Sequence, residues 1–190
     1  MPVKHWVSPI LLFALLSIQN AHASFIDHPV HSNKWTDKYD RHFKKYSKRY
    51  FGPLFDWHWF KAQAIAESGL DDEAKSHAGA QGLMQIMPAT GKSIANQIGL
   101  TGYQDELLKD PDINIRMGTY YLRQQLDNFD QNLVYCLGAY NGGPGAMSGW
   151  ISKWGGTDID EFIENITYLE TRDYIKKVMG NYYFYQMLYP

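Results

Sequence analysis

The chain has 190 residues, 45% of them apolar or aromatic and 20% charged, with a net charge of −2. That composition excludes a disordered chain, a collagen and a strongly basic nucleic-acid binder, and the length suits one domain with a short appendage. One cysteine, Cys136, rules out an intrachain disulfide and any cysteine-built zinc or iron–sulfur centre.

Residues 1–23 have the form of an export signal. Lys4 supplies a positive start, Ile10 to Ile18 are apolar apart from Ser17, and Ala21-His22-Ala23 has the small-x-small form of a cleavage site. The alternative is an uncleaved membrane anchor, for which the apolar run is short. Residues 24–38 read as a loose leader, and 39–190 as the folded domain of a protein exported to the periplasm.

From there the pattern is helical. Tyr39, Phe43, Tyr46 and Tyr50 recur at helical spacing, and Arg41, Lys44, Lys45, Lys48 and Arg49 fall mostly off that stripe. This basic face reads as solvated, with contact to an anionic polymer as the alternative. Asp56 is placed to cap a second helix through Trp57, Phe60 and Ile65 to Glu67, and Gly69 to end it. A third helix is predicted from Pro88 to Gly99, and a fourth opens at Asp110-Pro111 with Leu122, Leu126 and Phe129 on one side. LVYCLGAY (133–140) is an apolar helix broken by NGGPG (141–145). Pro144 opens a short helix ending near Gly155-Gly156, and Thr171 starts the last one. No segment alternates as a strand does. The fold class is therefore all-α, with about seven to nine helices.

Residue types narrow the chemistry. There is no GxSxG, no HExxH, and no Gly-rich phosphate loop after a strand. What remains is carboxylate chemistry. Glu67 follows Ala62, Ala64, Ile65 and Ala66 at a helix C-terminus. Apolar burial and the helix dipole both raise a carboxyl pKa there, as a general acid needs. The competing reading is an ordinary glutamate facing water. GAQGLMQIMP (79–88) joins turn-forming glycines to Gln85, suited to sugar hydroxyls, and to the soft apolar Met84 and Met87. The competing reading there is a plain loop with its methionines in the core. AYNGG (139–143) adds Tyr140 and Asn141 at a helix terminus. Neutral polar groups beside aromatics suit carbohydrate better than nucleic acid or phosphate.

Glu67-Ser68, GAQGLMQIMPAT (79–90), AYNGGPG (139–145) and FIENITYLETRDYIKKV (162–178) follow one another in that order. Together they resemble the catalytic domain of the soluble lytic transglycosylases, glycoside hydrolase family 23, which is related to goose-type lysozyme. The resemblance covers roughly residues 40–188. It implies a lysozyme-like single domain with a substrate groove, acting on peptidoglycan glycan strands without metal or organic cofactor. It further implies cleavage of the β-1,4 bond between N-acetylmuramic acid and N-acetylglucosamine, with a 1,6-anhydro ring left on the muramoyl sugar. Carried over residue by residue, Glu67 matches the single acid/base. Ser68, Ser76, Met84, Gln85, Met87, Tyr140, Asn141, Glu164 and Tyr174 match positions that bind substrate or border the groove. Thr167 stands where the family often has Pro, which is expected to loosen that turn. Asp71, Asp72 and Glu73 are the other candidates for a second carboxylate. The resemblance leaves a muramidase and a non-catalytic wall-binding module as competing readings. A monomer is expected, with a cell-envelope assembly or secretion complex as a possible partner and no nucleic acid.

Overall fold

The computed structural model describes residues 36–188. The export signal at 1–23 and most of the leader therefore lie outside the described residues. Eight α-helices follow in order: α1 (Asp40–Phe51), α2 (His58–Ser68), α3 (Pro88–Gln97), α4 (Pro111–Asn128), α5 (Leu133–Gly142), α6 (Pro144–Trp154), α7 (Ile159–Asn165) and α8 (Leu169–Leu188). A 3₁₀ turn, Asp105–Lys109, precedes α4. Among the described residues there is no strand, only isolated antiparallel bridges from Gln81 to Lys75 and to Ile86. The all-α class and the number of helices are as the sequence predicts.

The helix boundaries follow local chemistry. The Asp56 carboxylate accepts from the backbone N–H of His58 at 3.0 Å, at the start of α2. Gly69 ends α2 at φ 66°, with its N–H on the Ile65 carbonyl. Asp110 caps α4 by accepting from Ile113 N–H at 3.0 Å, with Pro111 at the first helical position. Two boundaries differ from expectation. α5 runs on through Asn141 and Gly142 before Gly143, at φ 88°, turns the chain into Pro144. α8 starts at Leu169, ahead of Thr171, and the short α7 forms within the FIEN segment. Sequence periodicity has too little length to register a helix of two turns.

The aromatic stripe of α1 is the face that enters the core: Tyr39, Phe43 and Tyr46 are buried. Two of its hydroxyls reach carboxylates on other elements, Tyr39 on Asp72 at 2.8 Å and Tyr46 on Asp112 at 2.6 Å. Arg41, Lys44, Lys45, Lys48 and Arg49 are exposed, as a solvated face requires. α1 packs on α4, α4 on α5, and α5 on both α6 and α8. Cys136 is buried in α5, where its thiol donates to the Leu122 carbonyl at 3.3 Å and burial pushes its pKa up. The turn after α7 is held rather than loose, because the Trp150 indole N–H donates to the Thr167 hydroxyl at 2.9 Å.

α2 is buried almost all round, from Phe60 to Ala66. The burial includes Lys61, whose side chain is fully enclosed. Its ammonium pairs with Asp40 and lies 4.7 Å from the centre of the Tyr185 ring. Burial pulls the lysine pKa down, and Asp40 opposes that pull. Removing the anion alone leaves a buried charge uncompensated, whereas removing the charge itself does not. Asp40→Asn is expected to cost about 3 kcal/mol in chemical denaturation. Lys61→Met is expected to cost clearly less.

Candidate active site around Glu67

The site is assembled from the end of α2, the 73–87 segment, the end of α5 and the first half of α8. α8 lies antiparallel on α2. Lys177 donates to the Ala66 carbonyl at 2.7 Å, and Asn181 to the Ala62 carbonyl at 3.1 Å. Further along, Trp59 and Tyr182 stack at 3.8 Å. Glu67 falls in the last turn of α2 and keeps some accessible surface. Packed atoms strip most water from its carboxyl, and this desolvation lifts its pKa to about 7. The Tyr174 hydroxyl and the Lys177 charge pull the other way, and the negative charge of Glu170 adds a small push upward. The carboxyl is thus poised between its two protonation states near neutral pH.

Two tyrosines flank it. Tyr140, on α5, donates to the Met84 carbonyl at 2.8 Å and meets the Tyr121 ring at 5.2 Å. Tyr174, on α8, is buried. Burial and the neighbouring Glu67 charge hold both phenols well above their usual range, so both stay neutral.

The 73–87 segment is shaped by its backbone. Gln81 and Ile86 exchange backbone hydrogen bonds at 3.0 Å each, and Gly82 N–H donates to the Ala74 carbonyl at 2.9 Å. Gly82 sits at φ +75°, and a Cβ there would lie 2.2 Å from the Leu108 carbonyl oxygen, so only glycine fits. Ser76 closes the turn: its Oγ accepts from Ala80 N–H at 3.0 Å. Ser68 ties α2 to this segment, donating to the Leu83 carbonyl at 2.9 Å. Gln85 adopts φ 45° and gives its amide N–H to the Gly82 carbonyl at 2.9 Å. Met87, next in line, is exposed.

Asn114 organises the segment from α4, and the sequence reading missed it. Its side chain is fully buried. It accepts from Met84 N–H at 2.8 Å and donates to the carbonyls of Gln81 at 2.9 Å and Leu108 at 2.7 Å. A single asparagine inside an amphipathic helix carries no signal of such a role in one sequence. Two expectations need correction. The Met84 side chain does not line a groove. It is fully buried, packed against Gly118 of α4, where a Cβ would come within 2.5 Å of its sulfur. The Met84 backbone, not its thioether, meets the site. Glu164 does not join the Glu67 cluster either. Its exposed carboxylate pairs with Lys176 at 2.5 Å, and its carbonyl accepts from Arg172 at 3.0 Å, so it fastens α7 to α8. Asn141 is tied to α8 through the Thr171 hydroxyl at 2.7 Å.

The other candidate carboxylates are engaged elsewhere. Asp72 accepts from Lys38 and Tyr39, Glu73 pairs with Lys109, and Asp71 accepts from the Glu73 backbone N–H. No group of three or more His, Cys, Asp or Glu side chains is placed to hold a metal among the described residues. A cleft of about 810 Å³ lies between α3 and the 99–106 loop, lined by Lys92, Asn96 and Tyr103, and contains none of the expected site residues.

The family profile described as the Transglycosylase SLT domain matches residues 43–163. The chain belongs to the SLT domain family. This SLT domain is 37% identical over 153 residues to the soluble lytic murein transglycosylase of Escherichia coli K12, covering 78% of this chain and 23% of the relative. It is 30% identical over 155 residues to the membrane-bound lytic murein transglycosylase F of Vibrio cholerae, covering 77% of this chain and 26% of that protein. Among solved structures it resembles the 70 kDa soluble lytic transglycosylase of E. coli, with TM-score 0.73 and 36% identity over 80% of this chain and 25% of that one. It also resembles an inactive glutamate-to-glutamine mutant of the lytic transglycosylase Slt of Pseudomonas aeruginosa, with TM-score 0.76 and 28% identity over 94% of this chain and 29% of that one. The SLT domain thus spans about a quarter of the length of these larger proteins.

The dependence on Asn114 is directly testable. Asn114→Ala breaks three hydrogen bonds at once, two of them buried, and strands backbone groups of the 81–84 segment. A loss of about 2–4 kcal/mol is expected in denaturant unfolding.

Proposed function

We propose that the chain is a peptidoglycan lytic transglycosylase that uses Glu67 as its single acid/base. The observation that carries this reading is the Glu67 carboxyl, held near pKa 7 by desolvation, with two neutral phenols beside it. The chain's likeness to the soluble lytic murein transglycosylase of E. coli and to the 70 kDa soluble lytic transglycosylase in complex with bulgecin A supports it.

Ordinary glycosidases place two carboxylates across the scissile bond. Here Asp71, Asp72 and Glu73 are tied into turns and ion pairs, which favours a scheme with one carboxyl. Protonated Glu67 donates to the leaving glycosidic oxygen as the C1–O bond breaks. The 2-acetamido group of the muramoyl sugar supports the positive charge developing at C1. Glu67, now a carboxylate, takes the proton of that sugar's C6 hydroxyl, whose oxygen attacks C1 and closes the 1,6-anhydro ring. Glu67 ends protonated, ready for the next cleavage. Nucleophile and electrophile sit in one bound sugar, which removes much of the entropic barrier. Tyr174 is the neutral phenol free to donate beside the carboxyl, Tyr140 gives its proton to the Met84 carbonyl, and Ser68, Ser76 and Gln85 hold the 73–87 wall. Ser76, Gln85, Met87, Tyr140 and Asn141 are the proposed substrate contacts. We further propose that the domain is exported and meets the cell wall in the periplasm. No described helix is long and apolar enough to cross a membrane.

Digestion of purified peptidoglycan is expected to release muropeptides one water lighter than hydrolysed ones, read by mass spectrometry. Products of hydrolysed mass would make the protein a muramidase instead. Glu67→Gln keeps size and hydrogen bonding but cannot deliver a proton. It is expected to bind peptidoglycan and to lose at least 10³-fold in turnover, on the order expected for removing an acid/base group.

The pH profile follows from the same carboxyl. A raised pKa keeps the acid form dominant below about 7. Turnover on a defined muropeptide oligomer is therefore expected to fall about tenfold per unit as pH rises beyond that value.

A further inference from the structure

One buried group near Glu67 is left unused by this mechanism. Gln63 lies one helical turn before Glu67 on α2, so both side chains share a face. It is fully buried, and neither its amide oxygen nor its amide nitrogen has a partner of hydrogen-bonding geometry. The Tyr174 hydroxyl, buried on the facing helix, is in the same state. Three unpaired polar atoms in one desolvated spot are costly, at about 1–3 kcal/mol each. A leucine or methionine at position 63 would avoid most of that cost. An amide kept in the core at such expense, one helical turn from the reacting carboxyl, points to a role outside packing.

We infer that Gln63 is a positioning residue: its amide N–H steers the Tyr174 hydroxyl so that the phenol donates to Glu67 when that carboxyl has given up its proton. This rests on the reading of Glu67 as the acid/base. Short of hydrogen-bonding geometry, the direction of each electrostatic influence agrees. The Gln63 amide stabilises negative charge on the Tyr174 oxygen, as a donor does, and Tyr174 in turn favours the ionised form of Glu67. The order is amide to phenol to carboxylate, each bond polarising the next. In the resting structure the chain of donors is slack. It closes when Glu67 becomes an anion, as catalytic hydrogen bonds commonly tighten only with the reaction. The other groups facing Glu67 are Tyr140 from α5 and Lys177 and Glu170 from α8.

The test is kinetic and thermodynamic together, on the full chain with a defined muropeptide oligomer. Gln63→Met and Gln63→Leu are expected to unfold at the same or a higher temperature than the parent. Their kcat is expected to drop about tenfold with KM nearly unchanged, the equivalent of one lost donor. The alkaline limb of the pH profile is expected to move upward, because Glu67 loses a donor to its anionic form. Tyr174→Phe should produce the same shift, and adding Gln63→Met to it should change nothing more. Full kcat and an unmoved limb in the Gln63 variants would overturn the inference. So would independent, multiplying effects in the double variant, or a failure of both Gln63 variants to fold, which would mark a purely structural residue. Glu67→Gln runs in the same assay. Activity surviving there removes the Glu67 reading itself, whereas an inactive Glu67→Gln beside a parent-like Gln63→Met removes only the role of Gln63.

Discussion

Lys177 reaches across from α8 and gives its ammonium protons to the carbonyl of Ala66, the residue before Glu67. That bond, with Asn181 on Ala62 one turn deeper, fixes how α8 lies on α2. The consequences are electrostatic as much as mechanical. α8 covers the end of α2 and removes water from Glu67, which raises the carboxyl pKa, while Lys177 and Tyr174 on the same helix limit the rise. A deeper burial without Lys177 would make the carboxyl a permanent acid unable to return as a base. A looser contact would leave it an ordinary carboxylate. The intermediate setting is the one the proposed mechanism requires of a single group that serves both steps.

The second constraint is at the segment that passes beside this carboxyl. An irregular chain has backbone groups with no helix to satisfy them. Asn114 meets two of them from the rigid α4, the Met84 N–H and the Gln81 carbonyl, and its third bond holds the Leu108 carbonyl of the 3₁₀ turn; Ser68 meets the Leu83 carbonyl, and Tyr140 meets the Met84 carbonyl. The segment is therefore pinned from three helices, α4, α2 and α5. It can present Gln85 and Met87 outward because Leu83, Met84 and Ile86 are fixed inward.

Much of this was legible in the sequence, and the reason differs by residue. The helices announced themselves where capping chemistry is local: Asp110-Pro111, Gly69 and the tyrosine stripe of α1 each act within a few residues. Glu67 stood out because an acid among alanines contradicts its surroundings. Met84 misled because a methionine in a polar motif reads equally well as wall or as core, and only the close approach of Gly118 decides. Glu164 misled because motif membership does not say which way a side chain leaves its helix. Asn114 and Gln63 were silent for a common reason. Their importance lies in groups 33 residues away or on the facing helix, and no local pattern encodes such partners. A glutamine among alanines one turn before the acid was the one available hint for Gln63.

The single thiol carries a consequence for how the protein is made. Cys136 is shut inside α5 with its proton turned to a backbone carbonyl and its ionised form disfavoured. Thiolate is the species that oxidants and disulfides attack. A folded chain of this kind can stand in an oxidising compartment without being cross-linked to its neighbours. Vulnerability is confined to the interval before α5 docks on α4, so the race that matters for yield is between helix packing and oxidation during folding.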